Sequence, residues 1–242
     1  MEYLKHGVFR MSGENIKIKS GDGKEFPGFL CRPESGSGPG LLLIQEIFGV
    51  NDHIRDVADL YAREGFVVLA PDLFWRIEPG IQLGYTDKDI AKGMEYYQKL
   101  DFGLGVSDLA HVATILRQMP GVNGKVGAVG FCMGGNFAYR LAAHGRVDAA
   151  VSYYGGGIDQ ILDQAKGITS PLIMHFGEKD SHIPQASVEK IRKAVEGNPI
   201  VSIYVYRGAD HGFNCDQRGS YDRKSAMLAF ARSTAFLHKH LG

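Results

Sequence analysis

Three side chains that together perform acyl transfer follow one another along this chain: a cysteine between glycines, an aspartate in a polar loop and a histidine on a glycine-flanked loop. Gly-Phe-Cys-Met-Gly occupies positions 130–134, directly after an apolar run at 125–129 and directly before a helical pattern beginning near Gly135. A Gly-x-nucleophile-x-Gly turn between strand and helix holds its central residue in a strained conformation, and the glycines remove side chains that would strike the neighbouring backbone. Cys132 is therefore expected to point into a pocket above the carboxyl edge of a sheet. The helix amino terminus beneath it favours thiolate, and the Met133 amide is placed to donate to an oxyanion. The plainer reading makes Cys132 a small buried hydrophobe. What separates the two is whether an acid and a base follow in order.

Both are offered. In an α/β-hydrolase the acid and histidine come later in the chain, on loops after successive strands, because only there do they converge on the nucleophile. Residues 172–176 run into Gly-Glu-Lys-Asp-Ser-His-Ile-Pro at 177–184, which supplies Asp180. Residues 203–206 run into Arg-Gly-Ala-Asp-His-Gly-Phe at 207–213, which supplies His211. The chain has nine histidines, so position rather than residue type selects this one. Imidazole there could reach a thiol about 3 Å away and accept its proton. Glu178 shares the aspartate's loop, and Asp210 adjoins the histidine and reads as a turn former.

The elements that must position these residues are legible as short apolar runs. Residues 41–44, 66–70, 126–130, 149–153 and 172–176 have the continuous hydrophobicity of strands buried on both faces, and 200–206 supplies another. Helical patterns fall at about 52–64, 87–99, 106–118, 134–144, 185–196 and 221–240. This alternation predicts a mainly parallel central sheet with helices on both faces. Before it, residues 15–19 and 26–31 flank Gly-Asp-Gly at 21–23, which predicts an antiparallel amino-terminal hairpin at one sheet edge. The linker-like stretch at 33–40 is too short to divide domains, so residues 1–242 read as one α/β-hydrolase unit.

Composition excludes several function classes. A chain of 242 residues with 44% hydrophobic content suits one sizeable core. Lys plus Arg and Asp plus Glu both number 27, so no electrostatic footprint for nucleic acid or an anionic membrane is visible. The first twenty residues lack the pattern of a signal peptide, and no apolar run is long enough to span a bilayer, so a cytoplasmic protein is expected. Cys31, Cys132 and Cys215 form no Cys-x-x-Cys pair, so neither a disulfide framework nor a zinc site is suggested.

These residues resemble the dienelactone hydrolase family, the cysteine branch of the α/β-hydrolases. The likeness extends over nearly the whole chain. It rests on Gln-Glu-Ile-Phe-Gly at 45–49, Ala-Pro-Asp-Leu-Phe-Trp-Arg at 70–76, Gly-Phe-Cys-Met-Gly-Gly at 130–135, the 177–184 loop and Asp-His-Gly-Phe at 210–213. The resemblance implies that Glu46 is a carboxylate that helps switch the thiol to thiolate when substrate binds, and that the Ile47 amide is a second oxyanion donor beside Met133. It also implies that Arg76 holds a substrate carboxylate, a task suited to a planar guanidinium. On residues alone, Glu46 could be a capping carboxylate and Arg76 an exposed loop arginine. There is a departure: members acting on dienelactone carry a serine directly after the histidine and an arginine four residues beyond it, where this chain has Gly212 and Cys215. Whether Arg218 takes the place of that arginine is left open by the sequence.

The function expected is cysteine-dependent hydrolysis of a small-molecule ester or lactone through an acyl-enzyme, without cofactor or metal, by a monomer or weak homodimer. Thioester hydrolysis on the same machinery is the near alternative. A redox-sensing cysteine is the distant one, and retention of Asp180 and His211 argues against it.

Overall fold

The computed structural model describes residues 13–242. The reading of the amino terminus as lacking a signal peptide falls largely outside them. Gly23 adopts φ +84°, a left-handed conformation that closes the turn between β1 (Glu14–Lys19) and β2 (Glu25–Cys31). The Ser20 hydroxyl accepts from the Lys24 amide at 3.0 Å across this turn. The two strands pair antiparallel from Glu14 opposite Leu30 to Lys19 opposite Glu25.

The remaining strands are β3 (Gly38–Ile44), β4 (Val67–Pro71), β5 (Val122–Phe131), β6 (Ala149–Tyr153), β7 (Leu172–Gly177) and β8 (Val201–Tyr206). They form one eight-stranded sheet in the order β1-β2-β4-β3-β5-β6-β7-β8. β2 meets β4 antiparallel, and every pairing from β4 to β8 is parallel. β4, β6 and β7 are buried along their whole length, which explains why their sequences are continuously apolar rather than alternating. The hairpin lies at one edge of the sheet, as its sequence predicts.

Among the described residues, six helices cover the two faces: α1 (Asp52–Arg63), α2 (Asp87–Lys99), α3 (Phe102–Gln118), α4 (Met133–Ala143), α5 (Gln185–Ala194) and α6 (Arg223–Leu241). Local caps fix their starts. Asn51 Oδ1 accepts from the Ile54 amide, Thr86 and Asp89 form a capping box, and Asp222 Oδ1 accepts from Ser225. α3 begins four residues earlier than its apolar periodicity suggests, because Asp101 Oδ1 caps the Leu104 amide at 2.9 Å. Gly103 and Gly105 mask that first turn in the sequence. Two 3₁₀ segments between β6 and β7, Ile158–Gln160 and Leu162–Gly167, were not anticipated. Among the described residues, no helix is long and apolar enough to cross a membrane.

Candidate active site

Cys132 caps α4 immediately after β5, with φ 54° and ψ −115°. A β-carbon-bearing residue at such angles stores roughly 1–3 kcal/mol of strain, so its surroundings must hold it there. They do so through the backbone. The Cys132 amide donates to the Tyr153 carbonyl at 3.0 Å, and its own carbonyl accepts from Gly135 and Asn136 in the first turn of α4. A Cβ at Gly130 would collide with the Gly134 carbonyl, and one at Gly134 with the carbonyls of Ile44 and Gln45. The two glycines thus allow β3, β5 and α4 to meet at the elbow. Cys132 itself stays partly exposed while its neighbours are buried.

Asp180 and His211 come together from the loops after β7 and β8. His211 Nδ1 lies 2.8 Å from Asp180 Oδ2. A carboxylate can only accept here, so Nδ1 carries the hydrogen and leaves Nε2 for the thiol. The other oxygen of Asp180 accepts from the amides of His182 and Ile183 at 2.9 and 3.0 Å, which fixes the carboxylate in place. The neighbouring acids are engaged elsewhere. Glu178 accepts from the Gly208 amide at 2.8 Å, and Asp210 accepts from the backbone amide of His211.

Burial disfavours a charge on His211, yet the charge of Cys132 and the hydrogen bond to Asp180 outweigh it and raise its pKa to about 10. A hydrogen bond with Cys132 contributes in the same direction. His175 shows what burial does without an anion: desolvation and the nearby Arg232 push its pKa down to about 3. Two buried histidines of one chain are thus driven in opposite directions, and the difference is the thiol and carboxylate beside His211. The rings of Tyr154 and His182 pack edgewise on His211, at 5.1 and 4.9 Å between centroids.

Glu46 follows β3 and is 1% exposed. Its Oε1 accepts from Arg218 Nη1 at 3.2 Å, and its Oε2 has no hydrogen-bond partner. Arg218 spreads over the rings of Phe48 and Tyr85. Ile47 and Met133, the residues after Glu46 and Cys132, are both buried.

Arg76 does not join this group. Its Nε and Nη2 each lie 2.8 Å from Asp108, its Nη1 lies 3.0 Å from Asp22, and its guanidinium stacks on Trp75. Those two carboxylates raise its pKa further above the usual arginine range. Its guanidinium pins the β1–β2 turn to α3 through these two carboxylates, and a substrate carboxylate would have to compete with them for it.

Sequence reasoning passed over Tyr154, whose φ of 37° is the only other positive value at a non-glycine among the described residues. The glycine run at 155–157 after β6 was the available signal. It also left Arg218 open, and the structure puts that side chain beside Glu46.

The Dienelactone hydrolase family model matches residues 26–241. A protein of Azospirillum brasilense, provisionally named carboxymethylenebutenolidase, is 37% identical over 94% of this chain and 99% of its own length. A carboxymethylenebutenolidase of Pseudomonas putida is 34% identical over 94% of this chain and 97% of its own. A Klebsiella pneumoniae structure provisionally assigned as a dienelactone hydrolase superposes with a TM-score of 0.83 at 32% identity, covering 94% of this chain and 98% of that one.

Proposed function

This chain belongs to the dienelactone hydrolase family and is a hydrolase of esters or lactones, and from that premise we propose that it acts through a Cys132–His211–Asp180 triad and an acyl-enzyme. The observation that carries the proposal is a buried imidazole bonded on one side to Asp180 and raised in pKa on the other by Cys132. When substrate binds, the Cys132 proton passes to His211, which gives the thiolate–imidazolium pair that attacks.

In the first step the Cys132 thiolate attacks the carbonyl carbon. The developing oxyanion is held by the amides of Met133 and Ile47. On collapse, the carbon–oxygen bond breaks and His211 gives its proton to the departing alkoxide, leaving a thioester on Cys132. Neutral His211 then takes a proton from water, whose oxygen attacks the thioester. Collapse expels the thiolate, which pairs again with the protonated ring. Asp180 holds the ring tautomer and stabilises the imidazolium without itself being protonated.

Glu46 and Arg218 are proposed as the substrate-responsive pair. A carboxylate on the substrate would compete for Arg218 and release Glu46 toward the thiol. The substrate is then a small ester or lactone with one carboxylate near the scissile bond, handled in the cytoplasm without nucleic acid or membrane.

The test is hydrolysis of p-nitrophenyl acetate, cis- and trans-dienelactone and acyl thioesters by wild type, Cys132→Ala and Cys132→Ser. Loss of activity in the alanine variant with the fold intact, and an acyl adduct on Cys132 by mass spectrometry, are expected. Wild-type rates in Cys132→Ala would remove the thiol from the mechanism. Turnover confined to thioesters would redirect the substrate class.

A further inference from the structure

Beside the triad, three residues from distant parts of the chain converge. Glu46 follows β3, His53 lies in the first turn of α1, and Cys215 lies four residues beyond His211. One donor atom from each lies within 4.8 Å of the others. All three are sealed from solvent, at 1%, 1% and 0% exposure. Neither ring nitrogen of His53 nor Oε2 of Glu46 makes a hydrogen bond. Buried polar atoms without partners are rare, and each requires an explanation.

We propose that Glu46, His53 and Cys215 form a site for a single borderline-soft divalent ion, Zn²⁺ in the first instance, and that the bound ion takes Glu46 from Arg218 and thereby restrains hydrolysis. Capture of the ion stands apart from the hydrolase reading, whereas restraint of turnover rests on the part proposed there for Glu46.

Thiolate, imidazole and carboxylate are the three donor classes that zinc takes from proteins. Bonds of roughly 2.0–2.3 Å in tetrahedral geometry put donors roughly 3.3–3.8 Å apart, so side-chain adjustments of about 1 Å would close the site. Asp216 supports the histidine. Its Oδ1 lies 3.6 Å from His53 Nδ1, too far for a hydrogen bond as it stands, and a shift of under about 1 Å on metal binding would make it the outer carboxylate that orients the imidazole and leaves Nε2 for the metal.

Charge points the same way. Glu46 and Asp216 bring two carboxylates to His53, so the cluster presents a negative potential. Arg218 is the opposing cation, at 3.2 Å from Glu46. With Glu46, Asp216 and a Cys215 thiolate on one side, and Arg218 and a dication on the other, the charges balance. An approach exists as well. His53 and Asn214 line an apolar cavity of about 130 Å³ between α1 and α6, bordered by Met227 and Phe230.

The experiment uses the full chain stripped with a chelator and then titrated with Co²⁺ and, against a chromophoric chelator, with Zn²⁺. One ion per chain is expected, with a thiolate-to-cobalt charge-transfer band that persists in Cys132→Ala and disappears in Cys215→Ala and His53→Gln. In wild type, hydrolysis of a carboxylate-bearing aryl ester should fall with the same midpoint as the zinc titration and recover on adding EDTA, while Cys215→Ala should resist the ion. A band that vanishes in Cys132→Ala, or zinc uptake unchanged in Cys215→Ala, overturns the site. Should Cys215→Ala fail to fold by circular dichroism, absence of the band in folded Cys132→Ala also overturns it. Ion uptake as expected without any effect on measurable turnover would sink the restraint and leave the site standing.

Discussion

The guanidinium of Arg218 rests against the bare α-carbon of Gly212, in space that a β-carbon at 212 would need, while the same guanidinium donates to Glu46 at 3.2 Å. Gly212 also holds φ +76°. The glycine after the histidine and the displaced arginine are thus one structural unit. Gly212→Ala should push Arg218 off Glu46 and lose roughly 1–2 kcal/mol from the left-handed backbone alone. We expect kcat/KM for a carboxylate-bearing ester to fall at least tenfold more than for its neutral counterpart. An equal loss on both substrates would mean that Arg218 does not read charge.

Asp180→Asn should lower turnover by about three to four orders of magnitude, because an amide misplaces the histidine proton. Glu178→Gln and Asp210→Asn should leave the chemical step within a few-fold of wild type, since their carboxylates serve backbone amides. Steady-state kinetics of the three variants decide. A larger loss from either of the latter two would move the acid away from Asp180.

The two buried histidines set opposite pH limits on stability. His211 has a folded pKa of about 10 against an ordinary 6.5, so its contribution is complete below about 6.5 and is lost as pH rises through about 10. His175 has a folded pKa of about 3, so its contribution is complete above about 6.5 and is lost as pH falls toward 3. Melting temperature should therefore decline on both sides of neutrality. Cys132→Ala, which removes the charge that holds up the His211 pKa, should flatten the alkaline limb and leave the acid limb unchanged. Differential scanning calorimetry across pH checks both.

Arg76→Ala should lower the melting temperature slightly and leave the ratio of charged to neutral ester turnover unchanged. Its guanidinium ties Asp22 to Asp108 rather than facing Glu46 or Arg218. A selective rise in KM for the charged ester would restore Arg76 to substrate binding.

Much of the fold was legible because buried parallel strands are written as unbroken apolar runs, as at 41–44 and 172–176. The elbow at Cys132 and the loops bearing Asp180 and His211 were legible for a related reason: each follows such a run, so chain order stood in for spatial position. What escaped depended on side-chain direction. Arg76 and Arg218 are both loop arginines by sequence, and only the geometry of Asp22, Asp108 and Gly212 distinguishes them. Glu46, His53 and Cys215 share no ligand spacing, and their proximity arises from a loop, a helix and a second loop meeting beneath the elbow. The start of α3 was hidden because Gly103 and Gly105 remove the apolar periodicity while Asp101 supplies the cap.

Cys132 springs from β5, flanked by β3 and β6, whereas His211 hangs from β8, which among the described residues ends the sheet and has β7 as its single strand neighbour. β8 is only partly covered, and Arg232 of α6 stacks over its Tyr204 at 4.1 Å. The proposed nucleophile therefore follows a strand paired on both sides, where amide exchange should be slowest, and the proposed base follows an edge strand that should fray at lower cost. Warming should open the β8 margin before the central strands part. The enzyme would then fall silent while still largely folded, recovering on cooling, with an intact thiol that has lost the ring that serves it.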